Sequence, residues 1–417
     1  MFAFVVALLT LLAAACTTST SGSAAATAAV ATPASASQLP VIVVGFDGFR
    51  RSYFDTDSSP VLHAVARAGV ISDGMIPSFP TVTFPNFYAL ATGLYPEHSG
   101  IVSNRFYDPD FHAYFSMRGD PVRDAKWWLG EPIWVTAAKH DERSGVYFWV
   151  GSEAPVGGRH PTYWKAYDGS VPFAARVQQV LDWVDLPAST RPALIMVYFQ
   201  EPDASGHHYG PDTPETRAAV LRVDSALGQL VDGLRTRGLY DRVNMVIVAD
   251  HGMSAVSPDR TVYLDDVVDS ANVRVITLSP VLLIEARDGN NEGLLTRLQG
   301  LPHVTTWRKA DVPARLHYNE GRRIPPIVGV ADDGWMIAWR HGRPFTLRGE
   351  HGYDNATASM SALFVAHGPA FRAGAAIASF PNVAIYDLLA QLLRIPPAPN
   401  DGSLAPFDSA LRTEVAR

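Results

Sequence analysis

The chain has 417 residues, of which 47% are hydrophobic and 18% charged, and its formal net charge is −7. A chain this apolar can bury a large core, which excludes a wholly disordered protein, and its mild acidity argues against nucleic-acid binding through a general basic surface. Because there is a single cysteine, a disulfide framework, a cysteine zinc site and an iron–sulfur cluster are excluded as well.

The N-terminal segment has the pattern of an export signal followed by a tether. Residues 2–15 are apolar apart from Thr10, and such a run of about 14 residues is too short to span a membrane but fits a signal peptide. Small residues directly before Cys16 resemble a bacterial lipobox, in which the cysteine becomes the lipidated N-terminus. We therefore expect a signal peptide over 1–16, a flexible tether over 17–38 and an exported protein, periplasmic or lipid-anchored to the cell envelope. The alternative is a plain secretory leader that is cut further on.

Apolar segments alternate with amphipathic segments along the rest of the chain. Short β-branched runs predict buried parallel strands at Pro40–Phe46, Gly145–Val150, Ala193–Phe199, Asn244–Ala249 and Ser361–Ala366. Apolar residues at helical spacing predict helices at Val61–Ala68, Phe173–Val184 and from Pro214 to about Leu234. This alternation predicts an α/β fold with a mostly parallel sheet and helices on both faces.

One stretch interrupts the alternation. Residues 254–348 contain irregular loops and short strands, after which the core pattern returns at His351. We therefore expect a catalytic domain over 39–405 with a smaller inserted subdomain at about 254–348, and a tail over 406–417.

Polar side chains follow three of the predicted strands directly. Asp47 follows the first strand, Asp203 and His207 follow the third, and Asp250 and His251 follow the fourth. Ligands of open α/β sheets bind at the edge formed by the carboxyl ends of the strands. Aspartate and histidine without cysteine favour a divalent metal ion, with zinc preferred and manganese or iron left open.

A candidate nucleophile lies in the segment SFPTVTFPN. Thr83 sits between two prolines and just before a helical stretch at Asn86–Thr92. A hydroxyl at a helix N-terminus is well placed to meet a phosphate, because free backbone N–H groups point there. The alternative is a local turn or cap, which threonine often forms.

These segments resemble a known family. GFDGFR, FPTVTFPNFYALATGLYPE, EPDASGHHYGP, VADHGM and HGYDN occur in the order found in the nucleotide pyrophosphatase/phosphodiesterase family of the alkaline phosphatase superfamily. The resemblance covers about residues 40–404 and suggests a bacterial member. It implies an alkaline-phosphatase-like core and two Zn²⁺ ions as cofactors.

The resemblance also implies roles for single residues. One zinc would be bound by Asp203, His207 and His351, and the other by Asp47, Asp250, His251 and the oxygen of Thr83. Thr83 would attack phosphorus and form a covalent phospho-intermediate. Asn104 would donate to a phosphoryl oxygen together with the Phe84 N–H.

The implied substrates are small nucleotides. Phe84 and Tyr167 would stack on a nucleobase, with Tyr198 nearby, and cleavage of phosphodiester or phosphoanhydride bonds would release nucleoside 5′-monophosphates. We expect no stable nucleic-acid complex, and membrane contact only through an N-terminal lipid anchor. Two alternatives stay open: a phosphodiesterase acting on lysophospholipids or glycerophosphodiesters, and a non-catalytic metal-binding surface protein.

Overall fold

The computed structural model describes residues 39–342 and 346–412. The predicted signal peptide with Cys16, the tether over 17–38 and residues 413–417 of the predicted tail lie outside these ranges. Within the described ranges, no helix combines the length and the apolar character that crossing a membrane requires.

The helices and strands are numbered here in chain order. The α-helices are α1 Pro60–Arg67, α2 Thr83–Thr92, α3 Pro96–Ser99, α4 Ile133–Lys139, α5 Phe173–Val184, α6 Asp203–Tyr209, α7 Pro214–Thr236, α8 Asn291–Leu298 and α9 Ala384–Leu393. The strands are β1 Val41–Asp47, β2 Val70–Ser72, β3 Met75–Ile76, β4 Arg105–Asp108, β5 Ala113–Ser116, β6 Ser144–Tyr147, β7 Tyr163–Lys165, β8 Leu194–Pro202, β9 Asn244–Ala249, β10 Ser254–Ala255, β11 Thr261–Tyr263, β12 Val273–Thr277, β13 Val281–Ala286, β14 Val304–Arg308, β15 Ile327–Ala331, β16 Met336–Ala338, β17 Gly349–Glu350, β18 Phe364–His367, β19 Ala375–Ile377 and β20 Phe380–Pro381.

The main sheet has eight strands in the order β19-β2-β18-β9-β1-β8-β6-β7. Strand β1 lies at its centre and pairs in parallel with β8 and β9. All seven residues of β1 are buried, as the continuous apolar run predicts for a strand covered on both faces. The mixed α/β architecture predicted from the sequence is therefore confirmed.

One predicted strand direction is wrong. Strand β18 runs antiparallel to both β9 and β2, although its apolar run predicted a parallel strand. A short buried strand has the same apolar pattern in either direction, so the pattern alone cannot give its orientation.

Helices cover the sheet in two groups. Helices α1 and α5 both pack against α7, while α2 and α4 both pack against α9. Helix α7 begins at Pro214, with the Thr213 side chain accepting a hydrogen bond from the Thr216 N–H, which caps the first turn of the helix. Its buried face carries apolar residues at helical spacing, including Val223, Leu227 and Leu234.

The segment after β9 builds a second layer of structure. Strands β12, β13, β15 and β14 form a four-stranded antiparallel sheet, and Leu282, Ile284 and Leu294 are part of a separate apolar cluster. Strands β10 and β17 pair with each other, so the two ends of the segment lie side by side.

The chain stays packed beyond residue 405. Phe407 and Leu411 are buried in the main core, and Leu411 forms a bridge with Phe371. The described part of the predicted tail, residues 406–412, thus packs against the core, because its apolar side chains are covered there.

Candidate active site

Three neighbouring strands deliver acidic side chains to one edge of the main sheet. Asp47 ends β1, Asp203 begins α6 directly after β8, and Asp250 follows β9. His251 joins them: its Nε2 lies 2.9 Å from Asp250 Oδ2 and 3.5 Å from Asp47 Oδ1. The parallel order of these strands explains why residues distant in sequence meet here.

Gly48 allows this close approach. Its φ of +65° lies in the left-handed region that favours glycine, and a Cβ at this position would lie 2.8 Å from the Asp203 Cβ. Its N–H donates to Asp250 Oδ1 at 3.0 Å. The Asp-Gly pair at the end of β1 therefore lets three acidic residues meet at this edge.

His351 and His207 complete the cluster. His351 follows β17, and its Nε2 lies 3.1 Å from His207 Nε2 and 3.5 Å from Asp203 Oδ1. The rings of His351 and His251 stack with centroids 3.6 Å apart. With Thr83, whose Oγ1 lies 3.3 Å from His251 Nε2, all seven predicted metal ligands lie in one cluster.

The three histidines share one arrangement. Each Nδ1 lies 2.9 Å from a backbone carbonyl, that of Gly349 for His207, Gly252 for His251 and Thr81 for His351. A carbonyl only accepts hydrogen bonds, so each Nδ1 carries the proton and each neutral ring has a lone pair on Nε2. The Nε2 atoms thus face the same space as the carboxylate oxygens, and histidines that bind a metal through one nitrogen also donate the other N–H in this way.

Three carboxylate oxygens point into the same space. Asp47 Oδ1, Asp203 Oδ1 and Asp250 Oδ2 are buried and have no hydrogen-bond partner among the described residues. Buried charged oxygens normally have a partner, because an unpaired one is costly. Facing lone pairs together with unpaired carboxylate oxygens fit a cluster built for cations.

The pKa values follow from the same crowding. Burial raises the pKa of Asp47 well above its ordinary value, and the Asp250 and Asp203 carboxylates raise it further. Burial lowers the pKa of His351, and the neighbouring histidines add to that effect. For His251, burial acts to lower the pKa, but Asp250 and Asp203 outweigh it and the pKa is raised.

The ligand atoms fall into overlapping sets. Asp47, Asp250 and His251 form one set, and Asp203, His251 and His351 form another. A further set joins His207 and His351 to Glu350. Nitrogen and carboxylate ligands without sulfur suit a divalent ion such as zinc. The residues present therefore fit the metal-binding role that the sequence predicted for them.

Thr83 is the first residue of α2, beside this cluster. With His251 Nδ1 protonated, the Thr83 hydroxyl donates to His251 Nε2. The Phe84 N–H donates to Asn104 Oδ1 at 2.8 Å. In the described structure this N–H therefore holds the Asn104 amide, and Asn104 Nδ2 remains the predicted donor to a substrate.

An aromatic cavity of about 510 Å³ opens beside Thr83 and Asp47. Its walls include Phe84, Tyr198 and Tyr167, and the Tyr167 side chain is 50% exposed. The three predicted substrate-binding residues thus line one cavity. Tyr198 has a second contact, since its buried hydroxyl donates to Asp47 Oδ2.

Sequence reasoning missed two residues of this region. Glu350 lies beside His207 and His351, and Glu153 accepts a hydrogen bond from the Tyr167 N–H. For Glu350, the only signal in the sequence is its position next to His351. No sequence pattern marks the second, because its contact is with a backbone group 14 residues away.

The sheet and the cluster at its carboxyl edge define an α/β protein with a candidate metal centre. Residues 41–354 match the type I phosphodiesterase / nucleotide pyrophosphatase family. Mouse ectonucleotide pyrophosphatase/phosphodiesterase family member 1 is 37% identical over 396 residues, 92% of this chain and 44% of the mouse protein. The venom phosphodiesterase CdcPDE of Crotalus durissus collilineatus is 38% identical over 394 residues, 91% of this chain and 47% of the venom protein.

Solved structures agree with these relatives. Murine ectonucleotide pyrophosphatase/phosphodiesterase 5 has a TM-score of 0.86 and 36% identity, covering 89% of this chain and 100% of that one. An inactive threonine-to-alanine variant of the same murine protein, in complex with AMP, also has a TM-score of 0.86 and 36% identity and covers 90% and 100% of the two chains. The chain spans less than half the length of the two curated relatives.

The chain belongs to the type I phosphodiesterase / nucleotide pyrophosphatase family. Its core is that of the alkaline phosphatase superfamily, as the sequence predicted.

Proposed function

We propose that the protein hydrolyses phosphodiester and phosphoanhydride bonds of nucleotides and releases nucleoside 5′-monophosphates. The observation that carries this proposal is the position of Thr83. Its hydroxyl begins α2 and lies 3.3 Å from His251 Nε2, and it lines the aromatic cavity. Family membership supports the reaction class, because the named relatives are phosphodiesterases.

We assign two zinc ions to the cluster. Asp203, His207 and His351 would bind one ion, and Asp47, Asp250, His251 and Thr83 the other. Bound ions supply positive charge that favours the Thr83 alkoxide and offsets the charge developing on the phosphoryl oxygens. The unpaired carboxylate oxygens and converging Nε2 atoms support this assignment.

The protein residues divide the remaining work. Thr83 Oγ1 loses its proton and bonds to phosphorus as the bond to the leaving oxygen breaks, which gives a threonyl phosphoester, and the leaving oxygen departs with its own substituent and takes up a proton from solvent. Water then cleaves that ester and restores the Thr83 hydroxyl. Asn104, held by the Phe84 N–H, donates to a phosphoryl oxygen and stabilises its charge.

The aromatic cavity is the proposed nucleoside site. Phe84 and Tyr167 would stack on the base, and stacking tolerates many bases. The AMP complex of the murine relative supports a nucleotide as the ligand of this fold. An inactive form of that relative carries a threonine-to-alanine change, which supports a threonine with an essential role in this family.

The variant Thr83→Ala tests this proposal. We expect zinc content to stay at the wild-type level, while turnover of bis(4-nitrophenyl) phosphate falls by at least about 1,000-fold because the nucleophile is gone. Thr83→Ser, which keeps a hydroxyl, is the matched control and should retain measurable turnover. Wild-type turnover by Thr83→Ala would refute the nucleophile role.

Substrate class is tested separately. The zinc-loaded protein should cleave a nucleoside 5′-(4-nitrophenyl) phosphate with a higher kcat/KM than 4-nitrophenyl phosphocholine, because only the former has a base to stack. The reverse order would favour a lipid-headgroup phosphodiesterase. No cleavage of either ester would favour a non-catalytic metal-binding protein.

For the N-terminal region we propose export in a bacterial host and lipidation at Cys16, which lies outside the described residues. The support is the apolar run followed by small residues and cysteine. Labelled palmitate should be incorporated by the full chain and lost in Cys16→Ala. Export without any label would leave a cleaved secretory leader instead.

A further inference from the structure

Glu350 is a partly buried acidic residue beside the candidate metal cluster with no assigned role. It ends β17, directly before His351, and its side chain is 14% exposed. Strand β17 pairs with β10, which follows the Asp250–His251 segment. The backbone of the site thus fixes where this carboxylate lies.

The contacts of Glu350 point toward two histidines. Its Oε1 accepts a hydrogen bond from the His351 N–H at 3.1 Å and lies 3.7 Å from His207 Nδ1. His207 Nδ1 already donates to the Gly349 carbonyl. The carboxylate therefore lies on the proton-bearing side of the His207 ring, opposite the nitrogen that faces the cluster.

Charge gives this carboxylate a further role. Asp47, Asp203 and Asp250 would balance three of the four positive charges that two divalent ions bring. Glu201, another nearby carboxylate, is already paired with Arg222 at 2.8 Å. Among the described residues, no lysine or arginine pairs with Glu350, so its charge remains available to the cluster.

We propose that Glu350 is a positioning residue for the ion bound by Asp203, His207 and His351. Its carboxylate accepts the His351 N–H and so holds the backbone at that ligand, and its negative charge lies 3.7 Å from the proton-bearing nitrogen of His207, where it adds to the negative charge around the ion. Groups just outside the ligands of a metal site orient those ligands and tune the affinity for the ion. The inference rests on the proposed function only in requiring two bound divalent ions.

The test is a zinc titration of metal-free protein against a chromophoric chelator. We expect Glu350→Gln to bind one zinc ion as tightly as wild type and the other roughly 10- to 100-fold more weakly. His351→Ala gives the reference for a chain that lacks a ligand to that ion. The affected ion should be the same one in both variants.

The matched control is Asp224→Asn, which also neutralises a buried carboxylate that accepts backbone N–H groups. Asp224 lies on α7 and binds the N–H groups of Val61 and Leu62 at 3.0 and 2.8 Å. Its replacement should lower the metal-free Tm and leave both zinc affinities unchanged. Glu350→Gln should instead reduce the rise in Tm that zinc produces.

Wild-type affinity for both ions in Glu350→Gln would overturn the proposal, and so would an equal loss of both ions. If Glu350→Gln does not fold, Glu350→Asp is the test instead. Aspartate keeps the negative charge, but its side chain is one methylene shorter, so the carboxylate lies farther from the two histidines. A smaller loss at the same ion supports the role, and no loss assigns Glu350 to structure alone. Failure of wild type to bind two zinc ions would instead count against the proposed function.

Discussion

The hydroxyl of Tyr198 shows how one residue can set the geometry of a ligand. It donates to Asp47 Oδ2, so the other oxygen of Asp47 faces His251 at 3.5 Å. Burial raises the pKa of Tyr198 well above its ordinary value, and Asp47 raises it further, so the phenol keeps its proton. Tyr198 therefore combines a wall of the aromatic cavity with support for a predicted metal ligand.

The variant Tyr198→Phe tests the hydrogen bond to Asp47 separately from the packing of the ring. The ring stays, but Asp47 Oδ2 loses its donor and is left buried without a partner. We expect the zinc affinity of the Asp47, Asp250 and His251 ligand set to fall by about 10-fold, measured by chelator competition. Tyr318→Phe is the control, because its buried hydroxyl donates to the Val102 carbonyl and should not affect zinc. If the zinc affinity of Tyr198→Phe is unchanged, Tyr198 only lines the aromatic cavity.

At the scale of elements, the sequence predicted most of what carries the site. Strand β9 and helix α5 have the predicted bounds, and the acidic residues after the strands do meet. The predicted strand Gly145–Val150 ends early at Tyr147, since Phe148 has a φ of +69° that no strand adopts. His351 follows a two-residue strand, and so short an element has no periodicity to read. Only the family resemblance could assign it.

The loop that carries Tyr167 is held from two sides. Glu153 Oε1 accepts the Tyr167 N–H at 3.0 Å, and Gln200 Nε2 donates to the Gly169 carbonyl at 3.2 Å. Glu153 is also paired with Arg123 at 3.2 Å, and its side chain is only 13% exposed. These contacts place the half-exposed Tyr167 ring over the cavity.

Replacing Glu153 should therefore affect nucleotides alone. We expect Glu153→Ala to raise KM for a nucleoside 5′-(4-nitrophenyl) phosphate by about 10-fold, a loss of roughly 1.4 kcal/mol of binding, with little change in kcat. Bis(4-nitrophenyl) phosphate has no nucleoside to place, so its KM should stay constant. Glu153→Gln still accepts the Tyr167 N–H and should behave more like wild type. A parallel rise of KM for both esters would contradict the assigned role.

On the scale of the whole molecule, Asp108 joins the β4–β5 hairpin to the segment between β14 and β15. Its Oδ2 accepts hydrogen bonds from Arg323 Nε at 2.6 Å and from Arg322 Nη2 at 3.0 Å. Asp108 and Arg323 are both buried. Burial raises the pKa of Asp108, but the two arginines outweigh it and lower that pKa to about 2.

The lowered pKa of Asp108 makes the stability of the folded protein depend on pH. Because the folded-state pKa lies below the ordinary value of 3.8, the stabilisation is complete above that value and is lost as the pH falls toward 2. Asp108→Asn should lower the free energy of unfolding at pH 7 by about 3 kcal/mol, since Arg323 stays buried without its partner. Measured by urea unfolding, the difference in free energy of unfolding between wild type and Asp108→Asn should become smaller below about pH 4.

The control is Asp55→Asn. Asp55 pairs with Arg51, but its side chain is 65% exposed, and exposed pairs contribute no more than about 1 kcal/mol. If wild type and Asp108→Asn differ in free energy of unfolding by the same amount down to about pH 2, the ionised carboxylate of Asp108 does not stabilise the fold.

The pairing of β10 with β17 has a consequence for how the protein tolerates damage. The segment between these strands is closed at its base, where Ser254 pairs with Glu350, and it has an apolar cluster that includes Leu282 and Ile284. A protease nick between β13 and β14 would therefore give two fragments that remain associated. His251 would lie on one fragment and His351 on the other, so the nicked protein would still bring all the predicted ligands together.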